Sequence, residues 1–152
     1  MDKLTGLVGA IVVGGIAVAG WQAISSTAAP QGHSMVPPDT SAIAEGAAIA
    51  QITRPDELSD NARLGKSIFE GACAECHGTN AAGRNGVAPP LVHKIYEPSH
   101  HSDMAFLSAA QNGVKSHHWN FGNMPQVKGV TQGDVKMVVE YVRELQRANG
   151  IK

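Results

Sequence analysis

Residues 73–77 read Cys73-Ala74-Glu75-Cys76-His77, and Cys73 and Cys76 are the only two cysteines in a chain of 152 residues. One such pair excludes a disulfide framework and leaves a metal, redox or haem-attachment role. A thioredoxin-like redox pair belongs in a βαβ unit, and a zinc site needs two further ligands at a second short spacing. The flanking sequence offers neither. Cys-x-x-Cys-His is instead the spacing of c-type haem attachment. Two thiols three positions apart on one helical turn can meet the two haem vinyl groups as thioethers, and the adjacent histidine turns its imidazole to the iron. Cys73, Cys76 and His77 are therefore the expected attachment residues, with His77 an axial ligand of the metal.

The sequence around this motif reads as helices separated by loops, with no convincing strand. Ser59 or Asp60 is placed to cap a helix through Ala62 to about Gly71, with Leu64, Ile68 and Phe69 on its apolar side. A second helix is expected from Ser102 or Asp103 to Asn112, closed by Gly113. The third is the clearest: Thr131 and Asp134 form a capping-box-like start, and Val135, Val138, Val142 and Leu145 recur at helical spacing until Gly150. The fold class predicted is all-α. Aromatic residues are only 5% of the sequence, so the core is thin, and a bound haem would add the apolar area that the side chains lack.

Gly65-x-x-x-Phe69 precedes the attachment motif and Gly78; Ala88-Pro89-Pro90-Leu91, Asn123-Met124-Pro125 and a last helix carrying Tyr141 follow in that order. In this order of features, residues from about Leu58 to Gly150 resemble the class I c-type cytochromes. The resemblance implies a small all-α fold wrapped around one covalent haem c, with Gly65 and Phe69 of the first helix against Val138 and Tyr141 of the last. It implies that Pro89 supplies the carbonyl that accepts the other ring N–H of His77, with Pro90 as the alternative. The chain departs from the family's frequent Gly-Pro-x-Leu in having Ala88 where the Gly stands. Met124, in a loop stiffened by Pro125, is implied as the sixth ligand, and Trp119 as an indole donor to a haem propionate. The function implied is one-electron transfer in a respiratory or photosynthetic chain, not enzymatic turnover, and with no small-molecule substrate.

Other side chains compete with Met124. Met104 and Met137 fall in expected helices, where packing is the better reading, and Met1 and Met35 lie outside the domain. His93, His100, His101, His117 and His118 all lie between the attachment motif and Met124. A histidine ligand would lower the potential, and an open or exchangeable sixth position would suit a haem enzyme or sensor, such as a peroxidase or gas-binding module. Adjacent histidines do not share the i, i+4 face of a helix, so a separate copper or zinc site is not expected.

Upstream, Leu4 to Ile24 is a run of 21 residues without a charge. As a helix it extends about 31 Å, close to the ~30 Å hydrocarbon core of a bilayer. Residues 1–24 are thus expected to form a transmembrane anchor, the rival being a cleaved signal with its site at Ala17-Val18-Ala19 or Ser26-Thr27-Ala28. Gly6, Ala10 and Gly14 could form a close-packing helix face, as in a fixed subunit of a larger membrane redox complex. Residues 25–57, rich in Ala, Ser and Pro, read as a flexible linker with a short Ala-rich helix possible over Ser41 to Ile52, leaving 58–152 as the haem domain. Haem attachment in the family it resembles takes place outside the cytoplasm. That places the domain on the periplasmic side of a bacterial inner membrane, or in the periplasm if the N-terminus is cleaved. The 12 Lys and Arg balance 13 Asp and Glu without a run of like charge, so a nucleic-acid partner is not expected. The expected partners are redox proteins and membrane electron-transfer complexes.

Overall fold

Four helices form in the computed structural model, which describes residues 34–152, and two of them start on a side-chain cap. Helix α1, Asp60–Ala72, is capped by Ser59, whose hydroxyl accepts from the Ala62 N–H at 3.2 Å. A short helix α2, Ala74–His77, follows directly. Helix α3, Asp103–Asn112, begins after Ser102 and closes on Gly113 at φ +73°. Helix α4, Gln132–Ala148, opens with the capping box of Thr131 and Asp134, the two residues exchanging hydrogen bonds at 3.1 and 2.8 Å. Single 3-10 turns cover Thr79–Ala81 and Lys94–Tyr96. Among the described residues there is no strand, only two isolated antiparallel bridges, and no helix is long and apolar enough to cross a membrane. The anchor expected over residues 1–24 lies outside the described residues.

The crossing of α1 with α4 organises the core. A Cβ on Gly65 would stand 1.8 Å from the Met137 carbonyl oxygen and 2.9 Å from the Val138 nitrogen, so only glycine allows the two backbones this close. One turn on, Phe69 meets Tyr141 with ring centroids 5.7 Å apart. Ala62, Val138, Val142 and Leu145 complete the buried cluster, where a side chain the size of Phe69 contributes about 1.5–3 kcal/mol. The contact face of α1 therefore runs through residues 62, 65 and 69. Leu64, expected on that face, is 55% exposed, because it sits roughly 100° around the helix from Gly65. Helix α3 packs on the same helix α4 through Leu107 and Ala110 against Val135 and Val139. Met104, expected to pack within α3, is 67% exposed, since the buried face of that helix starts one turn later.

Composition describes residues 25–57 as a spacer, yet from residue 34 onward the chain is tied to the helices. No helix forms over residues 41–52, which run as turns. An isolated Ala-rich helix of this length is marginal in water, and here the main chain finds tertiary partners instead. The N–H groups of Ile49 and Ala50 both donate to the Ala82 carbonyl at 3.2 and 3.0 Å, and Gly46 and Ala47 pair with the Asn85 main chain at 2.9 and 2.8 Å. The buried side-chain amide of Asn85 donates to the carbonyls of Ile43 and Thr40 at 2.7 and 3.3 Å.

Candidate functional site

Cys73 is the hinge between α1 and α2. Its N–H ends α1 on the Phe69 carbonyl at 2.8 Å, while its own carbonyl accepts from Cys76 and His77 at 3.2 and 2.9 Å. The attachment turn therefore hangs directly from the residue that packs on Tyr141. Both cysteines are free, Cys73 half-buried and Cys76 exposed. Burial, and secondarily the charge of Cys76, push the Cys73 thiol up to about 11. The thioredoxin-like alternative also lacks its βαβ setting, because among the described residues there is no strand.

His77 is buried, and its Nδ1 lies 2.9 Å from the Pro89 carbonyl oxygen. A carbonyl can only accept, so Nδ1 carries the proton and Nε2 keeps its lone pair. Burial holds the imidazole pKa below its ordinary value, with the Pro89 bond pulling the other way, and the ring is neutral near pH 7. This is the state a metal ligand requires. Pro89 is held in turn by Gly83, whose N–H donates to the His77 carbonyl at 2.7 Å and whose added Cβ would stand 2.5 Å from the Pro90 nitrogen. The Ala88 that departs from the family pattern fits without conflict: it pairs with Arg84 through bonds of 2.9 and 3.0 Å. Asn80 and Ala81 hold left-handed φ values of 53° and 58°, which turn the Ala81 carbonyl to Leu91 N–H at 2.9 Å. Tyr141 fixes this bend by donating its hydroxyl to Asn80 Oδ1 at 3.1 Å.

Met124 and Trp119 share a second loop, residues 113–125. The main chain of Met124 is bridged to Val114 by two bonds of 2.9 Å, and Gly113 makes room for its carbonyl, which a Cβ there would approach to 2.6 Å. Trp119 is 5% exposed, stacked on Phe121 and edge-on to His93. Its indole N–H is buried without a hydrogen-bond partner, its approach to the Tyr96 phenol falling short of hydrogen-bond geometry. An orphaned buried donor is rare in a folded protein and marks a place where an acceptor belongs.

Sequence reasoning missed Arg143 and Gln146, both buried. The Arg143 guanidinium donates to Asp103 Oδ1 and the Tyr96 carbonyl at 2.8 Å, to Gln146 Oε1 at 2.6 Å and to the His101 carbonyl at 2.5 Å. Gln146 donates to the carbonyls of Leu91 and Tyr96 at 2.8 and 2.9 Å. Together they staple residues 91–101 to α4. Their helical positions, three apart on the face that carries Val139 and Val142, were the one available signal. Two surface clefts, one lined by Pro55, Leu58 and Glu144 and the other by Arg54, Lys66, Asn80 and Tyr141, do not involve the attachment residues.

Residues 62–146 match the model of the Cytochrome c family, more than half of the chain. A comparison with individual curated proteins found no match. The family implies a covalently bound haem c, and the residues present fit that group: two free thiols at the attachment spacing, a neutral histidine with one nitrogen fixed and the other available, and an unsatisfied indole donor. The chain belongs to the cytochrome c family, and its helical domain is that of a haem-based electron-transfer protein.

Proposed function

We propose that this protein is a one-electron carrier holding a single haem c, with His77 and Met124 as its axial ligands. The observation that carries the reading is the buried, neutral His77, whose Nδ1 is committed to Pro89 and whose Nε2 remains available. When bound, the haem supplies a ferric–ferrous couple, whose potential is raised by a thioether ligand and by apolar surroundings. Cys73 and Cys76 hold it covalently through thioethers formed by adding each S–H across a vinyl group. The Pro89 carbonyl keeps the imidazole at one angle, so little has to rearrange between oxidation states. The Val114 bridge and Gly113 hold the Met124 main chain equally still. Trp119 gives its indole N–H to a haem propionate, which meets the unsatisfied donor.

In the same proposal residues 1–24 anchor the protein in a bacterial inner membrane with the haem domain on the periplasmic side. Electrons pass to and from redox proteins and membrane complexes of a respiratory or photosynthetic chain. The test is a spectrum and redox titration of the purified holoprotein beside Met124→Ala. A ~695 nm thioether-to-iron band in the ferric wild type, absent in the variant, is the expected result. A wild type lacking that band, or binding carbon monoxide rapidly when reduced, would overturn the assignment of Met124.

A further inference from the structure

Two histidine-bearing loops converge beside α3. The turn before that helix carries His100 and His101, and loop 113–125 brings in His118. The Nε2 atoms of His100 and His118 are 3.2 Å apart, and one ligating nitrogen from each of His100, His101 and His118 lies within 4.8 Å of the other two. Adjacent histidines are poorly placed to share a metal only while the pair is helical. His100 and His101 lie instead in a turn, where neighbouring imidazoles can converge, and the third comes from a separate loop.

We propose that His100, His101 and His118 form a binding site for a divalent transition-metal ion of the class that prefers imidazole, Cu2+ or Zn2+. With metal–nitrogen bonds of about 2.0–2.1 Å in tetrahedral geometry, neighbouring ligand nitrogens stand about 3.3 Å apart. The His100–His118 separation already meets that spacing, and His100 stands exposed at the surface, so closing the wider gaps displaces no buried group. His101 donates Nδ1–H to the Ile95 carbonyl at 2.7 Å, which fixes its tautomer and leaves Nε2 for the ion, the usual outer-shell arrangement of a metal-bound histidine. Three neutral nitrogens and no carboxylate favour copper or zinc over magnesium or calcium.

Both arms of the site are held before any ion arrives. Arg143 grips the carbonyls of Tyr96 and His101. On the other arm Ser116 donates its hydroxyl to the Trp119 carbonyl and its N–H to Asn123 Oδ1 at 3.0 Å, which sets the bend presenting His118. His117, ring to ring with His118 at 4.5 Å, turns Nδ1 to the Lys115 carbonyl at 3.0 Å and stands outside the trio. Water completes the coordination on the exposed side.

The site is independent of the electron-carrier reading, and the experiment keeps the two apart. Zn2+ is titrated calorimetrically into the full-length holoprotein, with Cu2+ followed by electron paramagnetic resonance. One equivalent binds, the copper signal carries nitrogen couplings, and the haem absorption spectrum stays unchanged, which locates the ion away from the iron. His100→Ala and His118→Ala each weaken Zn2+ binding tenfold or more with unaltered haem spectra, while His117→Gln leaves it within threefold. The proposal is overturned if no saturable equivalent binds at about 100 µM Zn2+, or if binding survives the His100→Ala/His118→Ala double variant. Loss in His117→Gln equal to that in His118→Ala would overturn the three-residue assignment.

Discussion

The segment holding His77 and the two loops facing α3 are fixed by different means. From Cys73 to Val92 main-chain restraints predominate, with amide to carbonyl bonds from Cys73, Gly83, Arg84 and Leu91 and a glycine pressed against two prolines, and the side chains of Arg84, Asn85 and Tyr141 add to them. From His93 to Met124 the main-chain bridge of Val114 with Met124 is joined by more side-chain restraints: Arg143 and Gln146 on one arm, Ser116 and Asn123 on the other, and the histidines among themselves. A main-chain scaffold is indifferent to most side-chain changes, whereas a side-chain scaffold can be retuned one residue at a time. The half restrained mainly by main chain is thereby suited to hold a ligand, and the other half to adjust its surroundings.

The sharpest way to break this contrast is Met124→Ala. If the two halves are independent, the haem stays covalently attached and ligated by His77, while the midpoint potential drops by on the order of 100 mV or more, within the ~0.8 V range that axial ligands command. Redox titration measures it, and loss of the haem itself would show the halves to be coupled. Gly65→Ala attacks the support beneath the main-chain half, because its methyl meets a backbone carbonyl that has nowhere to go. A loss of about 3 kcal/mol in urea unfolding is expected. Arg143→Met tests the side-chain half: it keeps apolar volume but removes donors from the His101 and Tyr96 carbonyls, the latter still served by Gln146. The expected cost is about 2 kcal/mol, with any Zn2+ affinity falling alongside and the His77 environment unaltered.

The smallest effect is one of pH. His101 and His118 have folded-state pKa values below the ordinary one, chiefly from burial and then from neighbouring histidines. The unfolded chain therefore binds protons first as pH falls, so their contribution is complete above about 6.5 and drains away below it toward the lowered values. Urea midpoints of the holoprotein should decline modestly between about pH 7.5 and pH 5.5, and less so in His101→Gln. An unchanged slope in that variant would assign the decline elsewhere.

The same division explains what the sequence disclosed. Caps and periodicity are local signals, and Ser59, Gly113, Thr131 with Asp134, and the Val135 to Leu145 series all appear where local chemistry puts them. The close approach at Gly65 and the Phe69–Tyr141 contact were legible only through the family resemblance, since nothing in α1 alone names its partner. The meeting of His100 with His118 was not legible, and the Arg143 and Gln146 staple showed only as two polar residues on the apolar face of α4. Each depends on segments apart in the chain arriving at the same place, which composition does not encode. The folding of residues 34–57 onto the domain was hidden likewise, because many of its bonds end on main-chain groups of Ala82 and Asn85 that any sequence would possess, and the Asn85 and Asn149 side chains that join them carry no mark of their partners.

The α1–α4 crossing also bears on how the molecule is made. Helix α1 and the cysteines that follow it are synthesised early, but the surface that buries Gly65 and Phe69 belongs to a helix that emerges some sixty residues later. Contacts so distant along the chain form slowly, because a long loop must close before they repay its entropy. Until then Phe69 has no Tyr141, and the attachment turn that hangs from Cys73 lacks the packed core behind it. The support of the attachment turn is thus completed by the last helix to emerge.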